Sequence, residues 1–173
     1  EEARSTLPAL RAQLGIGRYV ALGHSVGGGM AVHCAAADAS GHCEALITIA
    51  AQACVEERTL QGIRDARDQF HRNPSQLERL ASYHGGDEGR ARRALNAWID
   101  TWLHPDFADW SLQSALGRVT CPVLALHGEV DEYGSTEQAA RIARWAAGPA
   151  RVEILPGAGH VPRVRRGVAG AAA

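Results

Sequence analysis

The sequence predicts an α/β chain, with a predominantly parallel sheet, helices on its faces and a helical insertion between two of its strands. Three observations carry this prediction. Short apolar runs at 18–23, 44–50, 121–128 and 150–156 have the length and composition of buried strands. Segments with three-and-four apolar spacing alternate with them, the order that produces parallel strands joined by crossover helices. From about 56 to 117 there is no strand-like run and charge is frequent, which marks the insertion.

Each element has a local reason. E-A-R-S-T-L-P-A-L-R-A-Q-L, residues 2–14, places Leu7, Leu10 and Leu14 on one helical face, and Gly15 and Gly17 end it. R-Y-V-A-L-G is the first strand; G-G-M-A-V-H-C-A-A-A-D-A reads as the next helix and E-A-L-I-T-I-A as the second strand. Within the insertion, N-P, H-G-G-D and H-P-D separate three helical pieces and a looser fourth, D-F-A-D-W-S-L-Q-S-A-L. C-P-V-L-A-L-H-G is a strand with Pro122 at its entry, where no ladder donor is needed. Ser135 and Gln138 have the spacing of a capping box for S-T-E-Q-A-A-R-I-A-R-W-A-A, and Gly148-Pro149 stops that helix. A-R-V-E-I-L-P is the last strand, followed by G-A-G-H and a glycine- and alanine-rich tail that reads as frayed.

At 173 residues the chain is read as a single domain, 1–173, carrying the insertion at about 56–117. It is 46% hydrophobic and 21% charged, with formal net charge −1. With neither a basic stripe nor an acidic run, nothing points to nucleic acid or anionic lipid as a partner. No run approaches the roughly 20 apolar residues of a membrane span, and E-E-A-R-S-T is not a signal peptide, so the default location is cytoplasmic. Cys34, Cys43, Cys54 and Cys121 are irregularly spaced and read as buried small apolar residues rather than a disulfide framework. His33-Cys34 and His42-Cys43 lack zinc-ligand spacing, so no metal is expected.

The chemistry centres on G-H-S-V-G-G-G, where Ser25 lies between Gly23 and Gly27 just after a strand and just before a helix. A serine hydroxyl becomes a useful nucleophile when a histidine takes its proton and a carboxylate fixes that histidine's tautomer. Asp131, in H-G-E-V-D, and His160, in G-A-G-H, also follow predicted strands, so all three fall at one edge of a parallel sheet. Glu129 and Glu132 are the alternative carboxylates. His71, His84 and His104 read as solvated residues of the insertion, and His24 as a support of the serine turn. Trp98 and Trp102 share a helix face; with Phe107 and Trp110 they either pack the insertion down or wall a substrate pocket.

These motifs resemble the α/β-hydrolase family in the order Ser, Asp, His, with the insertion in the position of the family's cap. The resemblance implies Ser25 as nucleophile, Asp131 as acid, His160 as base and the Val26 backbone N–H as one oxyanion donor, with no cofactor. It implies acyl-enzyme chemistry on a small apolar ester or a related carbonyl compound, carbon–carbon bond hydrolysis included. Two features depart from the family. The strands expected before the strand at 18–23 are not found and no H-G-G run offers a second oxyanion N–H, whose loss typically costs on the order of a hundredfold to a thousandfold in turnover. Only 13 residues follow His160, so the final helix is also missing. On this reading the strand 18–23 becomes a sheet edge, and a complementary segment or a second copy is the partner to expect. The rival reading is a catalytically incomplete fragment that serves as an interaction module.

Overall fold

The structure, a computed structural model, describes residues 1–162. Four strands, β1 (Tyr19–His24), β2 (Cys43–Ile49), β3 (Val123–Gly128) and β4 (Ala150–Leu155), lie side by side in chain order, and every pairing is parallel. Leu22 sits opposite Ile47, Ile47 opposite Leu124 and Leu124 opposite Arg151. All four strands therefore end at the same edge, where the loops that follow them meet.

A π-type turn at Glu2–Thr6 leads into α1 (Leu7–Leu14), which closes at Gly15 with φ 66°. Helix α2 (Val26–Ala37) starts directly from β1 through Ser25. Between β2 and β3 lie α3 (Glu57–Arg72), α4 (Pro74–Ser82), α5 (Glu88–Leu103) and the short α6 (Gln113–Leu116). The predicted breaks are helix starts: the Asn73 side chain accepts from Ser75 N–H and the Asp87 side chain from Arg90 N–H, satisfying donors at the two N-termini. Helix α7 (Glu137–Trp145) joins β3 to β4.

One sheet face is closed by α2, α6 and α7. Ala21, Leu46, Val123 and Ala125 pack there against Val32, Leu116 and Ile142. Each large aliphatic group so buried contributes about 1.5–3 kcal/mol. A second cluster, around Ile63, Ile99 and Trp102, holds α3 against α5. The other sheet face is open among the described residues: Val20 and Leu22 are 51% and 62% exposed. As the sequence reading anticipated, β1 is an edge strand among those residues.

Several local expectations are corrected. Ser135 and Gln138 form no capping box. The Ser135 hydroxyl donates to Glu56, and the Gln138 side chain bridges Ala53 and Cys54, because buried backbone groups there need partners more than an exposed helix end does. Helix α7 ends at Trp145, before Gly148-Pro149; Gly148 instead lets the chain pass Thr120, whose carbonyl a Cβ would approach to 2.4 Å. The leucine face of α1 is not buried, with Leu10 and Leu14 47% and 60% exposed. Only Cys43 of the four cysteines is buried; the others are intermediate. The looser fourth piece becomes a 3-10 turn at Pro105–Phe107 followed by α6. The tail expectation, from residue 163 onward, lies outside the described residues.

Candidate active site

Ser25 has φ 55° and ψ −126°, a backbone conformation that non-glycine residues rarely adopt and that clusters at functional sites. Its N–H continues the sheet ladder to Ile49 O at 2.9 Å while its carbonyl already accepts from Gly28 N–H. The turn from strand to helix thus occurs on one residue. Two glycines make it sterically feasible: a Cβ on Gly23 would meet Gly27 O at 2.0 Å, and one on Gly28 would meet the Ala51 side chain at 2.5 Å. A Cβ on Gly27 meets nothing within 4 Å, so the second glycine of G-x-S-x-G is not there for room. Val26 opens α2, so its N–H has no helical acceptor and sits at the positive end of the helix dipole.

The structure brings Ser25, His160 and Asp131 together. His160 Nε2 lies 2.9 Å from Ser25 Oγ, and its Nδ1 lies 3.0 Å from each Asp131 carboxylate oxygen. Asp131 is fully buried. Burial pushes its carboxyl pKa up, but hydrogen bonds from His160 and from Tyr133 N–H, with the nearby imidazoles of His160 and His127, outweigh it and hold the group below its ordinary value. Asp131 is therefore ionised at neutral pH and accepts the Nδ1 proton. That leaves Nε2 as the acceptor facing the Ser25 hydroxyl, a chain able to take a proton from oxygen.

The alternative carboxylates serve the loops instead. Glu132 accepts from His160 N–H at 3.1 Å and Glu129 from Gly157 N–H at 2.9 Å, so both brace the segment that carries the imidazole. Gly128 admits that segment: a Cβ there would lie 2.4 Å from the carbonyls of both Ala158 and Gly159. His24 Nε2 donates to His160 O at 2.7 Å, and the rings of His24 and Tyr133 flank the His160 ring. His127, fully buried beneath the acid loop, contacts Gly134 O at 3.2 Å and Asp131 at 3.4 Å.

Over Ser25 opens a cavity of about 400 Å³, within the usual size of small-molecule sites. Trp98, Trp102, Phe107 and Trp110 all line it, with Val26 and Met30 on the α2 side. Phe107 stacks on Trp110 at 5.3 Å, and Trp102 meets both edge-on. The two sequence readings of the aromatics therefore coincide, since the residues that pack α5 onto the loop below also form the wall. His33 stands at the rim, and burial, reinforced by Arg118, holds its pKa below the ordinary 6.5. Among the described residues no group of three His, Cys, Asp or Glu side chains could hold a metal ion.

The whole sequence, residues 1–173, matches the model of the "Alpha/beta hydrolase family". The chain belongs to the alpha/beta hydrolase family. Solved structures agree on the fold. A putative non-heme bromoperoxidase from Mycobacterium tuberculosis H37Rv is 16% identical, with TM-score 0.60 over 90% of this chain and 65% of that one. A bacterial membrane phospholipase A is 20% identical with TM-score 0.66, over 92% of this chain and 56% of that one. A proline iminopeptidase from Mycobacterium smegmatis is 21% identical with TM-score 0.60, over 90% and 62% respectively. This chain thus spans less than two thirds of the length of these structures. A comparison with curated protein sequences finds no significant match. No helix among the described residues is long and apolar enough to cross a membrane.

Within this alpha/beta hydrolase chain, sequence reasoning missed Gln52, which lines the cavity beside Ser25, and the supporting roles of Glu132, Tyr133 and His127. Gln52 had one legible signal, its position three residues past a strand end at the sheet edge where the other groups gather. The supports had none, because Glu132 braces a residue 28 positions away, Tyr133 acts through its backbone N–H, and His127 is placed by burial rather than by any spacing.

Proposed function

We propose that this chain is a serine hydrolase that works through an acyl-enzyme. Ser25 is the nucleophile, His160 the general base and then acid, Asp131 the carboxylate that fixes the imidazole, and the Val26 N–H one oxyanion donor. The observation that carries this reading is the unbroken Asp131–His160–Ser25 chain at 3.0 and 2.9 Å, ending on a serine in a strained backbone conformation. In the first step Ser25 Oγ bonds to the ester carbonyl carbon, its proton passes to Nε2, and the alcohol leaves with that proton as the carbon–oxygen bond breaks. Water, deprotonated by the same imidazole, then attacks the acyl-enzyme and releases the acid.

The aromatic wall supports a small apolar acyl group as substrate, and α3–α5 with their flanking loops act as a cap within a single domain. Hydrolysis of a carbon–carbon bond by the same groups is the variant of this chemistry. Turnover of p-nitrophenyl esters of short aliphatic and arylalkyl acids tests the reading. The wild-type chain hydrolyses them and Ser25→Ala does not, with an unchanged circular dichroism spectrum. Turnover retained in Ser25→Ala contradicts the assignment.

A second reading, an interaction surface formed by the edge and open face of the sheet, is favoured by the exposure of Val20 and Leu22 on β1. It is the rival to the first, a catalytically incomplete fragment whose occupant is a complementary segment or a second copy.

A further inference from the structure

We infer that Gln52 is a specificity-determining residue, which selects acyl substrates carrying a second oxygen function, keto or hydroxyl, on the carbon β to the scissile carbonyl. The inference rests on Ser25 being the nucleophile, because it takes the cavity over Ser25 as the acyl site.

Gln52 is only 4% exposed, yet its carboxamide makes no hydrogen bond to any described residue. What remains of its surface opens into the cavity over Ser25 and into a smaller recess of about 20 Å³ that reaches His160. It is the buried polar side chain common to both spaces. Of the other polar side chains that line the larger cavity, Ser25 is held by His160, His33 is exposed at the rim, and Thr101 is already committed through its hydroxyl to Ala97 O at 2.7 Å. A carboxamide stranded in an apolar wall is costly unless something that enters the space completes it.

The backbone presents Gln52 deliberately. Ala50 has φ 50°, among the described residues the second non-glycine residue in the left-handed region after Ser25, and both stand just past the ends of adjacent strands. Ala51 is seated against Gly28 of the serine turn. Ala53 and Cys54 are clamped by the buried Gln138, whose Oε1 accepts from both N–H groups at 2.7 and 3.2 Å and whose Nε2 donates to Cys54 O. The segment is thus fixed on both sides of Gln52 while its side chain has no hydrogen-bond partner among the described residues. Fixed polar groups of this kind convert a missing hydrogen bond into discrimination, because the analogue without the oxygen leaves the site's own group buried and unsatisfied.

Two esters of matched shape test this: methyl 3-phenylpropanoate and methyl 3-oxo-3-phenylpropanoate, with the 3-hydroxy ester as a third probe. Their binding to Ser25→Ala, which cannot turn them over, is measured by titration calorimetry, alongside their kcat/KM with the wild-type chain. The oxygenated esters should bind Ser25→Ala at least about fivefold more tightly than the plain ester. The preference should vanish in Ser25→Ala/Gln52→Leu, and in Ser25→Ala/Gln52→Met if the leucine variant does not fold. Equal affinity for the three esters in Ser25→Ala, affinity for none of them, or a preference that survives loss of the carboxamide overturns the inference. A binding preference without wild-type turnover would overturn the hydrolase reading, and with it the selection of acyl substrates, leaving Gln52 only as a ligand-binding group; turnover without a preference would overturn the inference alone.

Discussion

At the scale of single residues, the turn that holds Ser25 separates two glycines that the motif treats alike. Gly23→Ala drives a Cβ into the Gly27 carbonyl and should abolish soluble folded protein or activity. Gly27→Ala meets open space in the first turn of α2 and should stabilise the chain by about 0.5–1 kcal/mol, read from the denaturant midpoint. Asp131→Asn should lower kcat by about 10⁴-fold by misplacing the imidazole proton, whereas Glu132→Gln keeps an acceptor for His160 N–H and should cost less than tenfold. The pH dependence has a definite sign. Because the folded pKa of Asp131 lies below its ordinary 3.8, its contribution to stability is complete above that value and is lost as pH falls through the folded pKa. The Tm difference between wild type and Asp131→Asn should therefore be constant from neutral pH to about 5 and shrink below 3.8. Ser25, Asp131 and His160 were legible because each follows a strand and has a glycine within three residues. Gln52 was not, since an unpaired carboxamide is a property of packing and leaves no trace in spacing.

At the scale of elements, the sequence marks the strands to within one or two residues, because buried parallel strands are short apolar runs and little else in the chain resembles them. Helix ends were less legible where a long-range partner intervened, as Gln138 shows. Its clamp on Ala53 and Cys54 joins α7 to the loop after β2, and Gln138→Leu should destabilise the fold by about 3 kcal/mol by stranding buried backbone groups. A second junction joins α3 to the acid loop. Thr59 donates to Tyr133 O, and Gly62 packs so closely that an added Cβ would lie 2.7 Å from Glu132 O. Gly62→Ala should shift the loop that carries Asp131 and lower kcat while the far-ultraviolet circular dichroism spectrum is unchanged. Neither junction is periodic, so neither is visible in a sequence.

At the scale of the whole molecule, one sheet face is closed and the other presents Val20, Leu22, Ile47 and Leu124. If that face seats a second copy or a separate segment, sedimentation velocity should show concentration-dependent association that Leu22→Lys weakens; a strictly monomeric wild type across the micromolar range contradicts it. The central claim is narrower, namely that the end of β1 carries an activated serine supported from β3 and β4. Labelling with a fluorophosphonate, which reacts with such serines, followed by peptide mapping, tests it most directly. The account predicts a single adduct on Ser25, lost in Ser25→Ala and in His160→Ala. A folded chain that takes up no label, or one labelled equally after either substitution, would contradict it.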